Sequence, residues 1–232
     1  THNISLSADF ETTTYDWENI LPNYEKNTYT DQQAEAVATL IYHLGIAMDM
    51  DYTPSGSGSI PSNVFKALVN HFDYDAAYKI LPKDYLLQTD MLSQIANELQ
   101  QGRPVMIAGH TTNQEGHAFV CDGMQSDGYL HINWGWNGLA DGYFALSALA
   151  PETHGTGGSS SQLAFTENVT AYIGIQPNKG GKPSAFITVD EIERTSEDTI
   201  YTSSNISFNL INFTNYGTEK AIGDITYDIY ND

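Results

Sequence analysis

Three observations predict an α+β fold. Apolar residues at helical spacing are confined to the stretch before Gly102, short alternating runs bounded by Gly, Asp, Ser and Asn follow, and strand does not alternate with helix along the chain. Helices come first and an antiparallel sheet after. That segregation argues against a doubly wound parallel sheet.

Residues 1–27 are polar and strand- or loop-like, with YDWENILPNY (Tyr15 to Tyr24) as an aromatic anchor. Thr30 followed by Gln33 predicts a capping box. Ala34, Val37, Ala38 and Ile41, with Leu40 and Leu44 beside them, predict a helix with a wide apolar face, stopped at Gly45. A turn-rich loop, Met48 to Ser59, precedes a second helix over Ser62 to His71; a third over Asp90 to Gln100 ends at Gly102. Strands are expected at Pro104–Gly109, His117–Asp122, Tyr129–Trp134, Gly142–Leu146 and Thr170–Ile175. Between the last two lies a Gly/Ser loop, His154 to Gln162. From Asn178, NKGGKP reads as a linker, and AFITVDEIE, NISFNLINF and DITYDIYND alternate like sandwich strands. The expected domains are therefore 1–177 and 178–232. The second is about half the length of an immunoglobulin-like β-sandwich, hence a partial one.

Charge narrows function. The chain has 232 residues with 9 Lys and Arg against 29 Asp and Glu, a formal charge of −20. Such a surface repels phosphate backbones and anionic lipid heads, which excludes nucleic acid and membrane surfaces as primary partners. Because only 16% of residues are charged, the imbalance comes from scarce Lys and Arg, not from an acidic tail. The 15 Tyr and 9 Phe are ample for a core. The longest weakly polar stretch, Ala36 to Met48, contains His43 and is too short to span a bilayer. No basic-then-apolar leader stands at Thr1, so any signal or pro-segment is expected to be gone already. A single cysteine, Cys121, excludes an internal disulfide.

The segment Glu115 to Gly138 reads as a hairpin turning within Gly123 to Gly128. The expected register pairs His117 with Asn133, Phe119 with His131 and Cys121 with Tyr129, which brings an imidazole and a carboxamide together on one face. Two readings fit. A carboxamide that accepts from one ring nitrogen fixes the tautomer and leaves the other to serve a nucleophile, as in Cys-His-Asn peptidases; or the pair is a satisfied polar contact in a barrel. Cys121 is on the same face as His117 but four residues along the strand, roughly 13 Å away, too far for an ion pair with it. It reads as a small buried side chain.

At these residues the sequence resembles the streptopain family of bacterial papain-like cysteine peptidases. YDWENILPNY, HLGIAMDMDYTPSGSGS, GHAFVCDG, HINWGWNGLADGYFALSAL and HGTGG with YIGIQP occur in the family order across Tyr15 to Pro177. The resemblance implies a papain-like fold, helices packed on an antiparallel sheet or barrel, and a secreted or cell-surface bacterial endopeptidase made as a zymogen and acting on proteins or peptides, with apolar residues near the scissile bond. It implies His117 as catalytic imidazole, Asn133 as its orienting partner and Trp134 as an aromatic lid on their contact. Gly116, Trp136 and the loop glycines Gly155, Gly157 and Gly158 would line the substrate cleft, and no metal or cofactor is implied.

Two departures stand out. The family nucleophile lies in a Gly-Cys stretch upstream of these motifs, and Thr1 to Tyr15 holds no cysteine, so the implied partner is an upstream segment that carries it. Ala108 stands where a family Gln is thought to stabilise the oxyanion, with Gln114 a neighbouring alternative. Other groups read as structural. Asp49 and Asp51 lack the spacing of a calcium loop, and His110, His117 and His131 follow no zinc pattern. His154 reads as solvated, and the N-x-S/T sequons at Asn3, Asn168, Asn205 and Asn212 are expected by chance in such a composition. The competing functional reading is a non-catalytic peptide- or protein-binding fragment or pseudoenzyme of the same fold.

Overall fold

The computed structural model describes residues 5–54, 56–152, 164–194, 207–215, 217 and 220. The chain forms two compact units, Thr1–Tyr74 and Asp75–Asp232.

The first unit is built on α1, Asp31–Ala47. Its capping box forms as expected: Gln33 N–H donates to Thr30 Oγ1 at 3.3 Å and Thr30 N–H to Gln33 Oε1 at 2.9 Å. Gly45 does not end the helix. It lies inside α1 because the strand that follows, β1 (Asp51–Thr53), brings the Tyr52 hydroxyl onto the spot a Cβ at 45 would fill. The expected turn-rich loop is instead a hairpin of β1 with β2, Gly56–Gly58, after which α2 runs over Pro61–His71. The apolar face expected of α1 is only partly covered. Ala36, His43 and Gly45 are buried, whereas Ala38 is exposed and Ile41 is 61% exposed. The packing side is set by aromatics near the N-terminus: Tyr15 Oη lies 3.0 Å from His43 Nδ1, Phe10 meets the His43 ring edge-on, and the Tyr15 ring stacks on Phe72. Tyr24 ties the same segment down, its hydroxyl accepting from Leu21 N–H and donating to the Gln33 carbonyl.

The second unit holds a six-stranded antiparallel sheet in the order β3-β8-β4-β5-β6-β7, packed with the helix α3. The strands are β3 (Lys79–Pro82), β4 (Val105–His110), β5 (Gly116–Met124), β6 (Leu130–Asn133), β7 (Gly142–Phe144) and β8 (Glu167–Ile173). Three successive hairpins join β4 to β7, and β8 returns to the free side of β4. β3 is an edge strand of four residues ending in Pro82, too short to show alternation in sequence. α3, Gln88–Gln100, buries Met91 and Ile95 in one cluster with Val105, Ile107, Phe119, Cys121, Leu130 and Ile132. Full burial of each large aliphatic contributes about 1.5–3 kcal/mol, so this layer holds β5 in place.

Two carboxylates fasten the ends of this unit. Glu98 takes a bidentate contact from Arg103, 2.7 Å to each oxygen, and the Gly174 N–H at 3.0 Å; the Arg103 hydrogen bonds hold its carboxyl below the ordinary carboxylate range. Asp75 accepts from the N–H groups of Ala77, Lys179 and Gly181, and these backbone donors lower its pKa as well. The stretch expected as a linker, NKGGKP, is thus pinned to the start of the unit. Beyond it, β9 (Ile187–Thr188), β10 (Glu191–Arg194), β11 (Phe208–Ile211) and β12 (Thr214–Asn215) form two antiparallel pairs, β9 with β12 and β10 with β11. DITYDIYND falls outside the described residues.

Candidate active site

The hairpin register differs from the expected one. β5 and β6 pair Val120 with Asn133 and Cys121 with Ile132; a bulge at Asp122 then brings Gly123 opposite His131 and Met124 opposite Leu130. His117 is therefore not level with Asn133, Phe119 not with His131, and Cys121 not with Tyr129. The turn lies later than a symmetric hairpin would place it, with Gly128 at φ 90° and Gln125 N–H donating to the Tyr129 carbonyl. Asn133 lands on the exposed face with Val120, while His117 lies on the inward face with Phe119 and Cys121.

His117 meets main chain instead. Its Nε2 lies 2.9 Å from the carbonyl oxygen of Trp134. A carbonyl can only accept, so Nε2 carries the proton, and in the neutral ring Nδ1 carries the lone pair. Asn133 contributes indirectly: its Oδ1 accepts the Gly135 N–H at 2.8 Å. That N–H belongs to the same peptide group as the Trp134 carbonyl, so Asn133 holds the plane that holds the imidazole.

Aromatic rings enclose the imidazole. The Val120–Asn133 register, continued past the end of β6, brings Trp136 level with His117, and the two rings stack 5.0 Å apart at 17°. Trp134 lies behind, nearly parallel, 5.5 Å from Trp136 and 6.4 Å from His117, and is fully buried. Phe165 lies 5.5 Å away on another side. Gly109, the β4 residue opposite His117, admits Phe165: a Cβ there would come within 2.8 Å of the Phe165 carbonyl. Stacked indole faces favour a cationic ring, by about 0.5–2 kcal/mol. Trp136 lies closer to the His117 ring than Trp134 does.

The remaining expected residues fall as follows. Gly116 opens β5 beside the His110 ring, where a Cβ would come within 3.0 Å of Nε2. Gly155, Gly157 and Gly158 lie outside the described residues. Ala108 is buried in β4 opposite Ala118, and Gln114 is in the β4–β5 turn with φ 64°. Cys121 is fully buried in the core; burial pushes its thiol up to about 12, so it is neither ionised nor reachable near neutral pH. His131 pairs with Asp122 at 2.5 Å on the outer face, edge-on to Tyr143. Among the described residues no three His, Cys, Asp or Glu side chains gather as a metal site.

Residue reading missed Asp141, whose Oδ1 accepts the Trp134 N–H at 2.9 Å. Its only sequence signal is its place inside the NWGWNGLADGYF run.

The peptidase C10 family profile matches residues 1–144. The chain belongs to the peptidase C10 family. Streptopain of Streptococcus pyogenes is 38% identical over 176 residues, 76% of this chain and 43% of the relative. The thiol protease/hemagglutinin PrtT of Porphyromonas gingivalis is 30% identical over 213 residues, 90% of this chain and 24% of that protein. Among solved structures, active wild-type interpain A, a cysteine protease of Prevotella intermedia, superposes with a TM-score of 0.62 at 32% identity, covering 72% of this chain and 67% of the other. A prointerpain A fragment with a cysteine-to-alanine substitution gives a TM-score of 0.56. The α+β, papain-like architecture of a C10 peptidase is thus established. This chain spans about two-fifths of the length of the streptopain relatives.

Proposed function

We propose that this chain supplies the histidine half of a cysteine endopeptidase site, completed by an upstream segment that carries the nucleophilic thiol. The observation that carries this reading is the Trp134 carbonyl on His117 Nε2, which leaves Nδ1 as the basic nitrogen. The upstream thiol gives its proton to Nδ1, and the thiolate attacks the peptide carbonyl carbon. Nδ1–H then protonates the leaving amine. Water, its proton taken by Nδ1, hydrolyses the thioester and releases the acid and the thiol. Asn133 serves through the Trp134–Gly135 peptide, and Trp134 and Trp136 shield and stabilise the imidazolium. Gly116, Trp136 and the loop glycines Gly155, Gly157 and Gly158 line the path of a protein or peptide substrate.

Support for an upstream segment comes from the apolar side of α1, where Ala38 and Ile41 are exposed. Membership among bacterial peptidases that include a proprotein form supports secretion as a zymogen, and no helix among the described residues is long and apolar enough to cross a membrane. Residues 178–232 are assigned to a partial sandwich module following a 1–177 peptidase domain, supported by the β9–β12 and β10–β11 pairs.

The test is reconstitution. Co-expressed with the upstream segment, the chain should hydrolyse casein, and a thiol-directed peptidase inhibitor should label the upstream cysteine. Label confined to Cys121, or no hydrolysis, would instead favour a peptide-binding pseudoenzyme.

A further inference from the structure

We propose that Asp141 is a positioning residue for His117, acting through the main chain of Trp134. The proposal rests on the reading of His117 as general acid and base. Three contacts meet on the two peptide groups that flank the Trp134 Cα. Asp141 Oδ1 accepts the Trp134 N–H at 2.9 Å, Asn133 Oδ1 accepts the Gly135 N–H at 2.8 Å, and the Trp134 carbonyl meets His117 Nε2 at 2.9 Å. Each peptide group is rigid, so fixing one atom of the first and two of the second immobilises the φ and ψ of Trp134, the only soft torsions between Asp141 and the imidazole.

Trp134 follows the last residue of β6, and the carboxylate takes the place of a strand partner for its N–H. The chain reaches this contact at a local cost. Gly135, Asn137, Gly138 and Ala140 all adopt left-handed backbone, the last with φ 62° although it is not glycine. This curl turns 135–141 back so that Asp141 meets the amide seven residues before it. It is the sole acidic residue between Asn133 and Gly142, and its carboxylate holds the peptide group that precedes the one meeting His117 Nε2.

The consequence is catalytic. When His117 takes the thiol proton, the Nε2–H donates more strongly to a carbonyl already clamped in place, with no reorganisation at that moment. Released from Asp141, the Trp134 peptide swings and Nδ1 loses its aim at the nucleophile.

The test uses the complete enzyme, with its upstream segment, and a peptide substrate. Asp141→Ala is expected to lower kcat about tenfold with KM within about twofold of wild type, as for loss of one well-placed hydrogen bond in the transition state. Asp141→Asn, which keeps an acceptor in the same place, is expected to recover most of that loss. Should Asp141→Ala fail to fold, Asp141→Ser, too short to reach the amide, replaces it with the same expectations. The proposal is overturned if kcat of the folded variant stays within about twofold of wild type, if KM rises while kcat holds, or if Asp141→Asn is no better than the alanine form and both melt lower together. His117→Ala in the same preparation separates the two claims: an inactive H117A beside an unimpaired D141A defeats only the role of Asp141, whereas an active H117A defeats the reading of the site.

Discussion

The two ends of the β5–β6 hairpin use similar residues to different ends. Toward the turn, Cys121, Leu130 and Ile132 are fully buried, and His131 faces outward to the Asp122 carboxylate. Toward the open end, β6 stops at Asn133 while β5 extends back to Gly116. His117 therefore lies beyond the part of β5 that pairs with β6, against main chain that has left the ladder. Regular pairing satisfies its own donors and acceptors and leaves nothing for chemistry. Where the ladder ends, a carbonyl becomes available to hold an imidazole. One histidine of the hairpin is aimed and the other makes a solvent-exposed contact with Asp122, and the difference is position relative to the last β6 residue.

The strongest test of this contrast is His117→Ala in the complete enzyme, expected to lower kcat at least about a thousandfold, the scale of a lost general acid and base, with the melting temperature nearly unchanged. Activity assays with a parallel thermal melt read both quantities. The turn end should give the opposite result. Leu130→Ala, in the packed cluster, is expected to destabilise by about 3 kcal/mol in denaturant titration, while the kcat of the folded fraction is retained. If kcat falls in step with stability, the two ends are not separable.

Cys121 gives a finer test through pH. Its thiol is raised in the folded state, so the folded protein holds its proton more tightly than the unfolded chain. That stabilisation is complete below the ordinary thiol value and is lost as pH climbs toward about 12. Cys121→Ala should flatten this alkaline decline at a cost of about 1 kcal/mol near neutral pH. A decline of equal slope in both proteins would contradict the burial of the thiol. The smallest effect is expected from His131→Ala: because the pair with Asp122 is exposed, stability should shift by less than about 1 kcal/mol and activity not at all.

Element types were legible in the residues themselves. The Thr30–Gln33 box, the helix over Pro61–His71, α3 and the strands β4 to β8 follow from caps, periodicity and turn residues, because those signals are local. The β1–β2 hairpin and β3 were not: β2 is the stretch Gly-Ser-Gly, which reads as turn, and β3 ends in Pro82. Gly45 misled because its lack of a side chain serves a contact with Tyr52, a residue in another element. The buried side of α1 misled for a similar reason, since Phe10 and Tyr15 choose it.

The sequence alone determined the class of fold, the family likeness, the single ill-placed thiol and His117 as the residue to watch, because each is a matter of composition, spacing or ordered motif. It did not determine what orients that histidine. The hairpin turns later than its turn residues suggest, which brings Trp136 instead of Asn133 level with His117, and the bulge at Asp122 changes the register by one residue more, neither of which period-2 alternation records. Only the tertiary structure replaced the Asn133 side chain with the Trp134 carbonyl, put Trp136 over the imidazole and brought Asp141 under the amide. Those contacts arise where the ladder ends and the backbone turns left-handed, a choice made by how 135–141 packs back on the sheet.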